Sequence, residues 1–203
     1  MGNKHKIKNG GQLPRRRLTS VPLAQAALAP VAPAPVAPAY IADTIFRLLE
    51  GEKYDEILKL ELEYCHLGTF SDDPAKDALV LYAFGTAHHD PMSKDEICLN
   101  RAIHKFERAK ERIEDANAND QHQSQNSVKS LKSKIGMSLA FLYSEGRSDM
   151  EKTISSHRWL LQNCNRYEVP AKYVIHLSHN FNRFDKFEYT IEVLEESMHM
   201  LDT

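Results

Sequence analysis

Residues 172–200 read KYVIHLSHNFNRFDKFEYTIEVLEESMHM. Val174-x2-Leu177-Ser178-x2-Phe181 is followed, after a polar break at Asn182-Arg183, by Phe187-x2-Thr190-x3-Leu194-x2-Ser197. Apolar residues recur at spacings of three and four, the period that places them on one face of a helix. The stretch therefore predicts two amphipathic helices joined by a short turn. Ser178, Thr190 and Ser197 are small and stand where two such helices must approach closely.

The same two-helix pattern recurs upstream. Ile41 to Leu49 predicts a helix, Gly51-Glu52-Lys53 a break, and Tyr54 to about His66 a second helix. Ser71-Asp72-Asp73-Pro74 is a start signal, with a carboxylate cap and proline in the first turn. The helix it opens carries Leu81-x2-Phe84-Gly85-x2-His88 and ends at His88-His89-Asp90-Pro91. Ser93-x2-Glu96 predicts a capping box before a long charged helix containing Ala102-x3-Phe106-x2-Ala109. Asn117 to Asn126 predicts a polar loop. Gly136-x2-Leu139-Ala140-x2-Tyr143 then leads through a turn at Gly146-Arg147 to a second capping box, Ser148-x2-Glu151, and to Ser156-x3-Leu160 with Trp159. Pro170 opens the last pair.

These motifs resemble the tetratricopeptide (TPR) repeat, whose signature is W-x2-L-G-x2-Y followed by A-x3-F. In the last pair Val174 stands for Trp, Ser178 for Gly, Thr190 for Ala and Leu194 for Phe. Glu61 occupies a position where the family prefers an aromatic. The resemblance covers Ile41 to Leu201 and implies an all-α fold: about eight helices as four stacked antiparallel hairpins, a TPR-like α-solenoid over residues 40–203. A single hairpin cannot cover its own apolar face, so neighbours must stack. Buried positions are expected at Phe84, Phe106, Leu139, Trp159, Leu177 and Leu194. The resemblance further implies a non-catalytic adaptor or scaffold that holds a peptide or helix of a protein partner in a groove. Chaperone-binding members grip a terminal carboxylate with Lys, Asn and Arg. Here only Lys172 matches part of that set, with His176 one turn on where Arg belongs, so that ligand is disfavoured. Lys172, His176 and His179 are the expected partner contacts.

Residues 1–39 differ in composition. They hold six of the nine prolines, the Ala-Pro-Val run from Ala29 to Pro38, and six basic residues without an acidic one. Proline removes backbone donors and bars helix interiors, so a disordered, extended basic arm is expected. The remaining residues carry 20 basic against 28 acidic side chains, a net charge of −8 with His neutral. An acidic body is a poor nucleic-acid ligand. Nucleic-acid association would therefore rest on Lys4, Lys6, Lys8, Arg15, Arg16 and Arg17, which also read as a nuclear import signal. Thr19 and Ser20 follow Arg16-Arg17-Leu18 as a phosphorylation site for basophilic kinases.

Three scattered cysteines, Cys65, Cys98 and Cys164, form no CxxC pair and fit a reducing intracellular compartment, cytoplasmic or nuclear. No apolar run approaches the ~20 residues needed to span a bilayer. No cofactor or metal site is expected. The alternative chemistry is a small all-helical metal-dependent hydrolase centred on His88-His89-Asp90, with His66 and Asp115 completing the ligands. Pro91 stands against it, where families with such a His-Asp pair carry an apolar residue and then Gly.

Overall fold

The computed structural model describes residues 38–89, 95–119, 125–164 and 169–202. The basic clusters, Thr19 and Ser20, and the expected cap Ser93 lie outside the described residues. Among the described residues there are eight α-helices and no strand: α1 (Pro38–Glu50), α2 (Tyr54–Tyr64), α3 (Pro74–His88), α4 (Glu96–Asn119), α5 (Gln125–Phe141), α6 (Met150–Asn163), α7 (Ala171–Arg183) and α8 (Phe187–Asp202). A six-residue π-helix, Leu142–Arg147, extends α5. The all-α expectation holds. The helical body starts at Pro38, three residues before the predicted Ile41, because proline's fixed φ suits the first turn. The predicted loop over 117–126 is shorter than expected, since α4 runs to Asn119 and α5 starts at Gln125.

Aspartates set three helix starts. Asp73 Oδ1 accepts from the Ala75 and Lys76 amides at 2.9 and 3.4 Å, as expected. Asp95 accepts from the Cys98 amide at 2.6 Å, serving α4. Asp149, not Ser148, accepts from the Lys152 amide at 3.1 Å to start α6. Ser148 is instead the left-handed residue that closes the π-helix, at φ 52°. The α1–α2 and α7–α8 turns share one device. Lys53 N–H donates to Leu48 C=O and Lys186 N–H to Phe181 C=O, while Glu52 and Asp185 take φ values of 53° and 54°. Both are helix stops in which the left-handed residue, normally Gly, lets the last carbonyls find donors. Gly51, expected to make the first break, sits one residue too early to take that conformation.

The packing joins six of the seven sequence-adjacent pairs: α1 with α2, α2 with α3, α3 with α4, α4 with α5, α5 with α6, and α7 with α8, whereas α6 and α7 make few backbone approaches. Alternate helices also touch, α1 with α3, α3 with α5, α5 with α7 and α6 with α8. One apolar core gathers Ile41, Ile45 and Ile57 with Phe84, Phe106, Leu139 and Trp159; a second gathers Ala140, Ile154, Leu160, Leu177, Phe181 and Val193. α5 and α6 contribute to both, since the consecutive residues Leu139 and Ala140, and Trp159 and Leu160, point about 100° apart and enter different cores. Close approaches fall at small residues. A Cβ on Gly85 would lie 2.7 Å from the Phe106 ring, and one on Gly136 would lie 2.9 Å from Leu160 Cβ. Thr190 Oγ1 donates to Ser178 C=O at 3.3 Å, so these two small residues meet as expected.

Five of the six expected core residues are buried, and Leu194 is exposed. α8 is rotated so that Val193 and Tyr189 face α7, which turns Leu194 away from that contact and leaves it 40% exposed.

Candidate functional site

A broad depression among the described residues lies across three helices that are remote in sequence. The second half of α1 supplies Phe46, Leu49 and Glu50; the start of α3 supplies Asp73, Ala75, Lys76, Leu79 and Tyr82; the start of α5 supplies Ser127, Val128, Ser130, Leu131 and Lys134. Its volume is about 600 Å³. Phe46, Leu49, Leu79, Tyr82, Val128 and Leu131 make the lining mostly apolar, and Lys76, Lys134 and Glu50 are exposed charges at its edge. An apolar floor with a few polar groups is the usual character of a ligand-binding concavity. Phe46 is a large aromatic left partly open to water, which is the residue type that anchors protein–protein contacts. Each helix brings its lining residues to one face by i, i+3 spacing: Phe46 and Leu49, Lys76, Leu79 and Tyr82, Val128 and Leu131.

Two polar clusters lie outside the groove lining and have a feature in common. His88 Nε2 lies 2.7 Å from Glu61 Oε2, and Lys105 Nζ lies 2.6 Å from Glu61 Oε1. Burial alone would raise the Glu61 carboxyl. The hydrogen bonds from His88 and Lys105, with their charge, outweigh it and hold the carboxyl below the usual range. Lys105 also covers the Phe84 ring. In the next hairpin the Tyr143 hydroxyl donates to Glu107, and Lys152 covers the Tyr143 ring at 5.1 Å. Burial, then the Glu107 contact, pushes the Tyr143 phenol up. His88 and Tyr143 occupy the same position of the recurring motif. Each is met by a carboxylate from the preceding second helix, Glu61 and Glu107 respectively; the lysines differ, since Lys105 pairs with Glu61 and covers Phe84 whereas Lys152 covers the Tyr143 ring itself. Glu61 of α2 is thus the partner of His88 on α3.

A third buried polar group joins α6, α7 and α8. His157 Nδ1 lies 3.3 Å from the Tyr173 hydroxyl, and Ser197 Oγ lies 3.4 Å from Nε2. Burial lowers the His157 pKa to about 4, with Glu196 opposing and Arg158 assisting, so the ring is neutral at pH 7. Arg158 pairs with Glu192 and, at 2.8 Å, with Glu196.

The residues expected to bind a partner lie elsewhere. Lys172 and His179 are exposed on α7. His176 Nε2 is 2.8 Å from Glu145 Oε1, and its ring stacks on Phe141 at 4.8 Å. His89 also meets Phe141, edge-on at 6.0 Å. None of the three lines the groove. His88 and His89 face different neighbours, and Asp90 lies outside the described residues. His66 is exposed, and Asp115 lies 3.9 Å from Arg112. Among the described residues no three of His, Cys, Asp and Glu gather as metal ligands. No helix among them is long and apolar enough to cross a membrane. Sequence reasoning missed Phe46, Leu79 and Val128, since each reads as one more apolar residue of an amphipathic helix until three helices are juxtaposed.

No protein-family model matches the chain, and neither a curated protein nor a solved structure matches it.

Proposed function

We propose that the chain is a non-catalytic adaptor, a TPR-like stack of helix hairpins that takes an apolar peptide or helix of a protein partner into the groove of α1, α3 and α5. The observation that carries this is the groove's apolar floor, drawn from three helices and left open to water. The stacked arrangement is supported by register. α5 touches α7 at Phe141–His176 and Ser144–Asn180, residues 35 and 36 apart. That offset is close to the 34-residue TPR period. The recurring carboxylate-to-ring contact, Glu61 to His88 and Glu107 to Tyr143, is a second sign of one unit used twice. Binding of this kind rests on a few buried anchors rather than on the whole surface.

Site-specific photo-crosslinking tests the reading. A photoreactive residue at Phe46 or Ser130, in the groove, should capture the same partner, and one at the exposed Glu111 on α4 should not. Phe46→Asp combined with Val128→Asp should abolish a Ser130 adduct while leaving the helical circular dichroism unchanged. Equal capture from all three positions would refute the groove. A complex that survives Phe46→Asp but dissolves steeply with salt would favour nucleic acid on the basic arm instead.

A further inference from the structure

α8 is apolar on two opposite faces. Val193 and Tyr189 pack against the preceding helices. About half a turn away, Phe187, Ile191, Leu194 and Met198 are 57%, 55%, 40% and 59% exposed. Their 4-3-4 spacing is that of a seam that interlocks with another helix. A helix apolar on both sides belongs between two layers, and among the described residues only one is present. Glu188 and Glu195 flank the seam on one side and are exposed, whereas Glu192 and Glu196 further round are held by Arg158. We propose that this seam is a second docking surface, distinct from the groove, and that its occupant is an amphipathic helix of another protein. That helix carries an apolar 4-3 seam edged with Lys or Arg opposite Glu188 and Glu195.

Charge decides between this occupant and a second copy of the chain. α8 has no Lys or Arg among residues 187–202. An antiparallel second copy would set Glu188 beside Glu195 of the other helix, like against like, with nothing on α8 to neutralise them. A basic-edged helix supplies both the apolar cover and the counter-charge, and flanking charges of this kind select partners in helix pairs.

The test uses the full chain and two fluorescent helical peptides about three heptads long. Both carry Leu at 4-3 spacing; one is edged with Lys, the other with Glu. The Lys peptide should bind more tightly by anisotropy. Ile191→Asp should weaken it by at least about tenfold with unchanged circular dichroism, and Phe46→Asp in the groove should not. Glu188→Lys with Glu195→Lys should reverse the preference in favour of the Glu peptide. The last result separates the seam from a general attraction to the acidic body. Absence of binding, loss of binding in Phe46→Asp but not in Ile191→Asp, or an unreversed preference would each overturn the proposal. Sedimentation showing a dimer that Ile191→Asp splits would assign the seam to a second copy instead.

Discussion

Acidification should loosen the α6–α7–α8 end of the body through His157. The ring is fully buried and meets the Tyr173 hydroxyl and Ser197. Its pKa is lowered from 6.5 to about 4. Between those values the unfolded chain binds a proton that the folded chain refuses. Stability therefore falls as the pH falls through this window, and the loss is complete once the pH is below the folded value. A gap of about 2.5 at about 1.36 kcal/mol per pH unit gives about 3 kcal/mol, a large share of the 5–15 kcal/mol typical of a folded domain. The assay is urea unfolding at intervals from pH 7.5 to 4, on the wild type and on His157→Gln. Glutamine can bond to both neighbours and does not titrate, so the acid response of every other group cancels in the difference. The wild type should lose about 3 kcal/mol more than the variant between pH 7 and 4. Parallel profiles, agreeing to about 0.5 kcal/mol throughout, would show that His157 accepts its proton without cost, and that the burial argument is mistaken.

Gly85→Ala should destabilise by up to about 2 kcal/mol. The added methyl meets the Phe106 ring at 2.7 Å, and overpacking of about 1–3 kcal/mol exceeds the roughly 1 kcal/mol gain in helix propensity; a higher melting temperature would contradict this. Trp159→Ala should cost about 3–5 kcal/mol in denaturant titration, since the indole is buried, donates to Glu114 at 2.6 Å and lies under Lys110. Glu61→Ala should cost about 3 kcal/mol by stranding His88 and Lys105, and Glu61→Gln, which keeps a hydrogen-bonding oxygen, should cost less. If Glu61→Ala unfolds at the same urea concentration as the wild type, the cluster contributes no net stability.

The helices were legible because their evidence is local. A period of 3.6 recurs through Leu81, Phe84 and His88, and through Leu177 and Phe181, and Gly85 marked a close crossing without its partner being known. Failures arose where the deciding contact is distant in sequence or one residue off. Glu61 meets His88 across 27 positions, so it could be recognised only as a departure from a pattern. Ser148 and Asp149 are both good caps, and the choice between them depends on the π-helix before them, which no propensity announces. Leu194 and Val193 are both apolar, and the rotation of α8 chose between them. The candidate groove was invisible for the same reason: its residues become neighbours only through packing.

The carboxylate-to-ring contact also bears on how the body comes apart. Each example ties one hairpin to the next: Glu61 of α2 to His88 of α3, and Glu107 of α4 to Tyr143 at the end of α5. In the repeat array proposed above, unfolding is all-or-none only while the interfaces between units outweigh the weakness of single units. Cutting one such tie should therefore do more than lower a midpoint. With Tyr143→Phe, which keeps the ring beneath Lys152 and deletes only the hydroxyl, the segments on either side would begin to melt separately. The transition would broaden, with a smaller denaturant slope, before it shifted far. Seen this way the clusters are hinges locked shut, and they set the length over which one end of the chain can sense the other.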